Sequence, residues 1–101
     1  MNVIEIFLPV FDNQGKLFSA TLYKQVKREL LGKFAGFTAY TRSPVEGLWR
    51  RARHASRDTL IIYEVMVNRL DIVWWQQYRK KLEKRFRQES LVIRCFNVKV
   101  V

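Results

Sequence analysis

The chain contains 101 residues, the length of one typical domain, and 49% of them are hydrophobic, which excludes a wholly disordered chain. Lysine and arginine number 19 against 9 acidic residues, so the net charge is +10 and the surface attracts polyanions at moderate salt. The single cysteine, Cys95, excludes an internal disulfide framework, and no apolar run approaches the length of a membrane span.

The first half of the chain predicts a strand, a helix and a second strand. Residues 2–8 alternate well enough to form the first strand. Ser19 is a suitable N-cap for a helix that runs to Phe34 or Ala35. Residues 37–42 are β-branched and aromatic, which favours the second strand. The apolar stripe of the helix recurs every four positions, with Leu31 widening it: Leu22, Val26, Leu30 and Phe34.

The second half predicts a loop, a central strand and another helix. Residues 50–57 hold four arginines, one histidine and no large apolar residue, which indicates an exposed loop. Residues 58–67 are almost continuously apolar, as in a central strand covered on both faces. Asn68 or Asp71 then begins a helix that reaches Arg87. One face of this helix carries Trp75, Tyr78, Leu82 and Phe86, at core spacing.

A last strand over residues 91–100 completes the order strand, helix, strand, strand, helix, strand. This order predicts one α+β domain over residues 1–101 with the ferredoxin-like βαββαβ arrangement. Because each βαβ half needs a right-handed crossover, we expect both helices on one face of a four-stranded antiparallel sheet. The first and third strands then lie in its centre.

The other face of this sheet, the open face, is exposed to water or to a partner. If Ile4, Ile6 and Leu8 face the helices, with Ile61, Tyr63 and Val65 on the third strand, alternation directs Glu5 and Glu64 to the open face, and Arg94 can share it. The opposite parity stays open, because both faces of these strands contain large apolar residues. Two close carboxylates raise one pKa and can serve as an acid–base pair, but structural pairing with an arginine is the more frequent explanation. Ile62 and Met66 share the face, and so apolar a surface is usually covered by a second copy.

Aromatic residues beside the irregular segment 43–47 favour a ligand pocket. Tyr40 and Trp49 flank that segment, whereas helical spacing assigns Trp75 and Tyr78 to the core. Core packing is the competing and more frequent explanation for all of these aromatics. In the pocket hypothesis the carboxylates accept hydrogen bonds or act as a weak base, the arginine anchors an anion and the aromatics form walls. The ligand-pocket candidates are Glu5, Tyr40, Trp49, Glu64 and Arg94.

Two basic segments, the 50–57 loop and the second helix, favour a nucleic acid or another polyanion as the alternative partner. Phosphate backbones release condensed counterions when such cations bind them, although a solvated charged surface is the more frequent explanation. The polyanion-binding candidates are Arg50, Arg51, Arg53, Lys80, Lys81, Lys84 and Arg87. The only histidine, His54, has no partner in sequence to position it, so no catalytic residue, metal or cofactor is predicted. Cys95 has no second cysteine or nearby histidine in sequence, and we expect a buried packing thiol there.

Several stretches form a pattern across nearly the whole chain: Phe37-Thr38-Ala39-Tyr40, Glu46-Gly47-Leu48-Trp49, Tyr63-Glu64-Val65-Met66-Val67, Trp75 with Tyr78, Arg85-Phe86-Arg87-Gln88-Glu89 and Val92-Ile93-Arg94. In this pattern the chain resembles a family of small bacterial proteins of unknown function. The resemblance implies a ferredoxin-like fold, similar in outline to dimeric α+β-barrel proteins, and it implies no activity. The 50–57 loop is more basic than we expect of the family, so the resemblance does not imply nucleic-acid binding as a role of the family.

From these observations we expect a small protein that forms a homodimer through the open face and encloses a small-ligand pocket. The N-terminal residues lack the basic start and long apolar core of a signal peptide, so we expect a cytoplasmic protein without a membrane partner. No catalytic motif is present, and an enzyme is therefore the least supported class.

Overall fold

The computed structural model describes residues 1–42 and 60–101. In these ranges the strands are Asn2–Pro9 (β1), Gly36–Arg42 (β2), Leu60–Val67 (β3) and Ile93–Asn97 (β4), and the helices are Ala20–Lys33 (α1) and Ile72–Arg85 (α2). The prediction of an α+β fold with two helices and an antiparallel sheet is confirmed for this part of the chain. The last strand is shorter than the predicted 91–100.

The sheet has the strand order β2-β3-β1-β4, and every neighbouring pair is antiparallel. The long strands β1 and β3 therefore lie inside the sheet, while β4 is an edge strand. The register places Glu5 opposite Glu64 on β3 and opposite Arg94 on β4. Three charged residues from distant parts of the sequence thus form one row across the sheet.

Both helices pack on the same face of the sheet and enclose the core. The inward residues of β1 and β3 are those that alternation predicts: Ile4, Ile6, Leu8, Ile61, Tyr63 and Val65. Val26 and Leu30 of α1 and Tyr78 and Leu82 of α2 cover them. Leu31 does not widen the buried stripe, as its side chain remains 60% exposed. It lies about 100° around the helix from Leu30, which turns it toward solvent.

Polar caps fix where α2 begins and ends. The Asp71 side chain accepts a hydrogen bond from the backbone N–H of Trp74 at 3.1 Å, so Asp71, one of the two predicted caps, is the N-cap. At the other end Arg87 has a left-handed φ of 51°, and Gln88 N–H donates to the carbonyl of Glu83 at 2.8 Å. This is a Schellman ending. It stops the helix at Arg85, before the predicted Arg87.

A polar cluster joins α1 to α2 outside the apolar core. Arg85 donates two hydrogen bonds to the carboxylate of Glu29, at 2.7 and 2.8 Å. The hydroxyl of Tyr78 donates to the same carboxylate at 2.9 Å, and Lys81 Nζ lies 3.4 Å from it. These donors favour the ionised form, with Arg85 the largest influence, and lower the pKa of Glu29 to about 2. Burial and the hydrogen bond to Glu29 raise the pKa of Tyr78.

Among the helices of the described ranges, none combines the length and apolar character that a bilayer crossing requires.

Candidate functional site

The centre of the open face carries a carboxylate held by an arginine. Glu5 is directed away from the helices, yet only 4% of it is exposed. Arg94 Nε donates to Glu5 Oε1 at 2.6 Å, and the side chain of Arg94 remains 56% exposed. The Arg94 Cζ atom also lies 5.0 Å from the ring centroid of Phe7. Arg94 therefore neutralises Glu5 and covers Phe7 while keeping polar surface toward solvent.

Glu64 lies directly opposite Glu5 on the adjacent strand. The predicted proximity of the two carboxylates is therefore confirmed. The more frequent explanation of such a cluster, pairing with an arginine, applies to Glu5. Position 38 of β2 pairs with Glu64 in turn, so the backbone register across the sheet runs from position 38 through Glu64 and Glu5 to Arg94.

Apolar residues flank this charged row on both sides. Val3 is paired with Met66 on β3 and Phe96 on β4, and these two neighbours are 42% and 43% exposed. On the other side of the row Phe7 is paired with Ile62, which is buried. Exposed apolar residues therefore lie on one side of the charged row, at Met66 and Phe96, and such residues beside a polar row favour a contact surface.

A groove of about 450 Å³ opens where Arg94 meets the end of the sheet. The segment between α2 and β4 forms one of its sides, and Glu83 holds this segment by accepting a hydrogen bond from the backbone N–H of Leu91 at 2.9 Å. Sequence reasoning missed this side because it assigned residues from 91 onward to a strand. The groove is lined by Phe7, Pro9, Leu60, Gln88, Ser90, Leu91, Val92 and Arg94.

The aromatic ligand-pocket candidates are placed only in part. The backbone of Tyr40 pairs with Ile62, which puts position 40 in the row that also contains Phe7. Trp49 lies outside the described residues. The structure thus brings Glu5, Glu64 and Arg94 together, and the contribution of the two aromatics stays a prediction.

The polyanion-binding candidates fall into two groups. Arg50, Arg51 and Arg53 lie outside the described residues, as does His54. On α2, Lys80 and Lys84 are exposed, whereas Lys81 lies 3.4 Å from Glu29 Oε2. Beyond the helix, Arg87 Nη2 lies 3.8 Å from Asp12 Oδ2. Hydrogen bonds from the backbone of Lys16 are the main cause of the lowered pKa of Asp12.

Charge is divided unevenly between the helices and the sheet. The two helices carry nine basic and two acidic residues, whereas the four strands carry two of each: Glu5, Arg42, Glu64 and Arg94. Both acidic residues of the helices, Glu29 and Glu83, are next to arginines. The cationic excess of the described chain therefore lies on the helices and not on the sheet.

Cys95 does not fill the core, contrary to the prediction of a buried packing thiol. It is exposed because β4 is the edge strand, and its Sγ atom lies 3.8 Å from Asn2 Oδ1. Within residues 1–42 and 60–101 no three His, Cys, Asp or Glu side chains are grouped closely enough to hold a metal ion.

No family model, curated protein or solved structure matches this chain.

Proposed function

We propose that this protein is a homodimer that pairs through the open face and holds a small ligand between its subunits. The observation that carries the proposal is the Glu5–Arg94 pair at the centre of the open face, with the exposed apolar residues Met66 and Phe96 on one side of it. The order of elements supports our assignment of the chain to the ferredoxin-like class. Sheet-to-sheet pairing is a simple way for such a chain to cover its open face.

Electrostatics favour the sheet as the self-association surface. Two copies with a net charge of +10 repel each other, and they repel most where their helices meet. The strands carry equal numbers of basic and acidic residues, so face-to-face sheets keep the cationic helices farthest apart. The carboxylate of one copy can also face Arg94 of the other, because a two-fold axis brings each residue near its counterparts.

The size of the sheet sets the strength that we expect. Eight-residue strands at about 3.3 Å per residue and spacings of about 4.8 Å give a flat footprint of roughly 400–500 Å². A standard interface buries about 800 Å² of accessible surface on each partner, so this one falls at the small end of stable interfaces. We therefore expect a dimer with a micromolar dissociation constant.

Analytical ultracentrifugation between 1 and 200 µM, a range chosen around that expectation, tests the dimer. Phe96→Glu and Met66→Glu place a charge on the open face and should give monomers at all these concentrations. Val73→Glu is the matched control, because Val73 is also an exposed apolar residue but lies on α2. A wild-type protein that is monomeric throughout the range would overturn the proposal, as would equal effects of all three substitutions.

The ligand pocket is tested separately from the dimer. Arg94→Gln removes the anchoring charge, and Glu64→Gln removes a carboxylate with little change in shape. Glu64→Gln should still dimerise, because it adds no charge to the interface. Arg94→Gln removes the cation that binds the buried Glu5 carboxylate, so it should weaken the dimer and also lose the thermal stabilisation given by small anionic ligands. If a stabilising anion raises the melting temperature of Arg94→Gln and wild type equally, the pocket does not use this arginine. Loss of turnover in Glu64→Gln would indicate an enzyme instead.

A second function, polyanion binding, is favoured by one observation on the helices. Lys80 and Lys84 are exposed, and neither has an acidic partner among the residues that the structure describes. We propose that they contact phosphates, together with the predicted loop arginines. Fluorescence anisotropy with labelled RNA and DNA across a salt series should give a steep slope of affinity against salt. Lys80→Glu with Lys84→Glu should weaken binding strongly, and affinity that does not depend on salt would exclude this function.

The control for the helix variant carries the same change of charge at another place. Lys16 and Lys99 are exposed and lie outside both helices. Lys16→Glu with Lys99→Glu therefore lowers the net charge equally. If this pair weakens binding as much as the helix pair, the affinity reflects net charge alone and not a surface on α2.

A further inference from the structure

A second cleft lies on the helix side of the sheet, between the N-terminal half of α2 and the free edge of β4. Its volume is about 240 Å³, smaller than the pockets that enclose drug-sized molecules. The cleft, which we call the edge cleft, reaches the core at Ile4 and Trp75. Its lining is mostly apolar but includes two arginines and one amide: Leu70, Ile72, Gln76, Arg79, Ile93, Arg94 and Cys95 complete it.

Arg79 brings an unsatisfied donor to the edge cleft. Its Nε atom is buried and has no hydrogen-bond partner among the described residues. The nearest acid is Glu83, whose Oε2 lies 3.8 Å away, beyond hydrogen-bond distance. That same oxygen already accepts the backbone N–H of Leu91 at 2.9 Å. The Arg79 side chain as a whole remains 42% exposed, so the outer nitrogens of its guanidinium stay open to an acceptor oxygen in the cleft.

The edge of β4 adds backbone groups to the same cleft. The backbone N–H of Phe7 donates to the carbonyl of Val92, and the backbone N–H of Val98 donates to the carbonyl of Met1. In the register of β1 and β4, the backbone N–H and C=O groups of the even-numbered residues of β4 therefore point toward β1. The backbone groups of Ile93 and Cys95 therefore point to the free edge, where the cleft lies. The N–H of Cys95 is a donor in addition to the guanidinium of Arg79 and the amide of Gln76.

We propose that the edge cleft binds a small organic carboxylate, with its charged end on Arg79 and its apolar body against Trp75 and Ile93. The lining combines hydrogen-bond donors with apolar side chains, and the net charge of +10 attracts anions. The volume suits a ligand the size of a single aromatic ring with a carboxylate. The charged contact of this site, Arg79, lies on α2 and not on the open face, although Arg94 lines the edge cleft as well as the open face.

The test is a titration of ¹⁵N-labelled protein with benzoate, followed by NMR. Benzoate should shift the signals of Gln76, Arg79 and Cys95 and the indole of Trp75 in one saturable transition. Benzyl alcohol, a neutral analogue, and inorganic phosphate, an anion without an apolar body, should each bind at least about tenfold more weakly. Since these comparisons use the wild-type protein, they test the proposal even if a variant fails to fold.

Substitutions then assign the charged contact. Arg79→Gln should weaken benzoate binding about tenfold or more, and Arg79→Lys should restore part of it, because lysine keeps the charge but lacks the Nε donor. Lys80→Gln is the matched control, since it removes the same charge from the neighbouring exposed residue. Equal effects of Arg79→Gln and Lys80→Gln would overturn the proposal. Equal binding of benzoate and benzyl alcohol, or shifts spread over the surface lysines, would also overturn it.

Discussion

The ion pair between α1 and α2 makes a quantitative prediction about stability. Glu29→Gln removes the charge that Arg85 binds with two hydrogen bonds, while a glutamine oxygen can still accept the hydroxyl of Tyr78. The Arg85 side chain is only 9% exposed, so it loses its counter-charge in a place that water reaches poorly. We expect the variant to fold but to be less stable than wild type at neutral pH.

The pKa of Glu29 sets the magnitude of this loss. The pKa of the Glu29 carboxyl falls from 4.5 to about 2 on folding. If solvent did not screen the charges, this shift would stabilise the fold by roughly 3 kcal/mol at any pH above 5. Because 25% of the Glu29 side chain remains exposed, solvent screening reduces this to about 1–2 kcal/mol. The folded-state pKa lies below the unfolded one, so this stability is present above about pH 5. It is lost as the pH falls through 4.5 toward 2.

Urea unfolding of wild type and Glu29→Gln at pH 7 and pH 3 measures the loss of stability. Urea is uncharged, so the denaturant does not screen the ion pair. The difference in unfolding free energy should be about 1–2 kcal/mol at pH 7 and less than half of that at pH 3. The control is Glu89→Gln, because Glu89 is exposed and has no ion pair among the described residues; it should show almost no difference at either pH. A difference for Glu29→Gln that is equal at both pH values would refute the electrostatic reasoning.

Substitutions at three further positions test the two ends and the buried face of α2 by urea unfolding or thermal melting. Arg87→Gly should be more stable than Arg87→Ala by about 1 kcal/mol. Both substitutions remove the guanidinium, but only glycine adopts the left-handed φ of 51° without steric strain. Equal stabilities of the two variants would contradict the role of that φ. Asp71→Ala should lose about 1 kcal/mol with the cap of α2, whereas Asp71→Asn should lose much less. Leu82→Ala should lose about 2–5 kcal/mol, because Leu82 is fully buried between α2 and the sheet; a loss under about 1 kcal/mol would show that the core closes over the gap.

Local signals in the sequence predicted the elements well. Alternation along β1 and β3 assigned Ile4 and Tyr63 to the core, and four-residue spacing assigned Val26 and Tyr78 to the buried faces of the helices. These patterns succeed because the direction of a side chain depends on the local period of the backbone. Leu31 is the exception in α1, where an apolar residue beside the stripe is exposed.

The ends of the elements were harder to predict, because contacts from other elements determine them. Glu83 accepts the N–H of Leu91 and holds the chain out of the sheet until Ile93, so β4 begins later than its apolar sequence indicates. The same contact forms a side of the groove beside Arg94, which no local pattern predicts.

The sequence by itself determined the secondary structure and the cationic character of the helices, because each depends on residues close along the chain. Which face of the central strands packs against the helices was decided by the tertiary structure, since both faces carry large apolar residues. The tertiary structure alone decided that Arg94 Nε binds Glu5, 89 residues away, since that contact depends on strand order and register. Strand order also decided that Cys95 is exposed at an edge, and the packing of α2 beside that edge placed Arg79 in a cleft. Strand order and helix packing join residues that the sequence keeps apart.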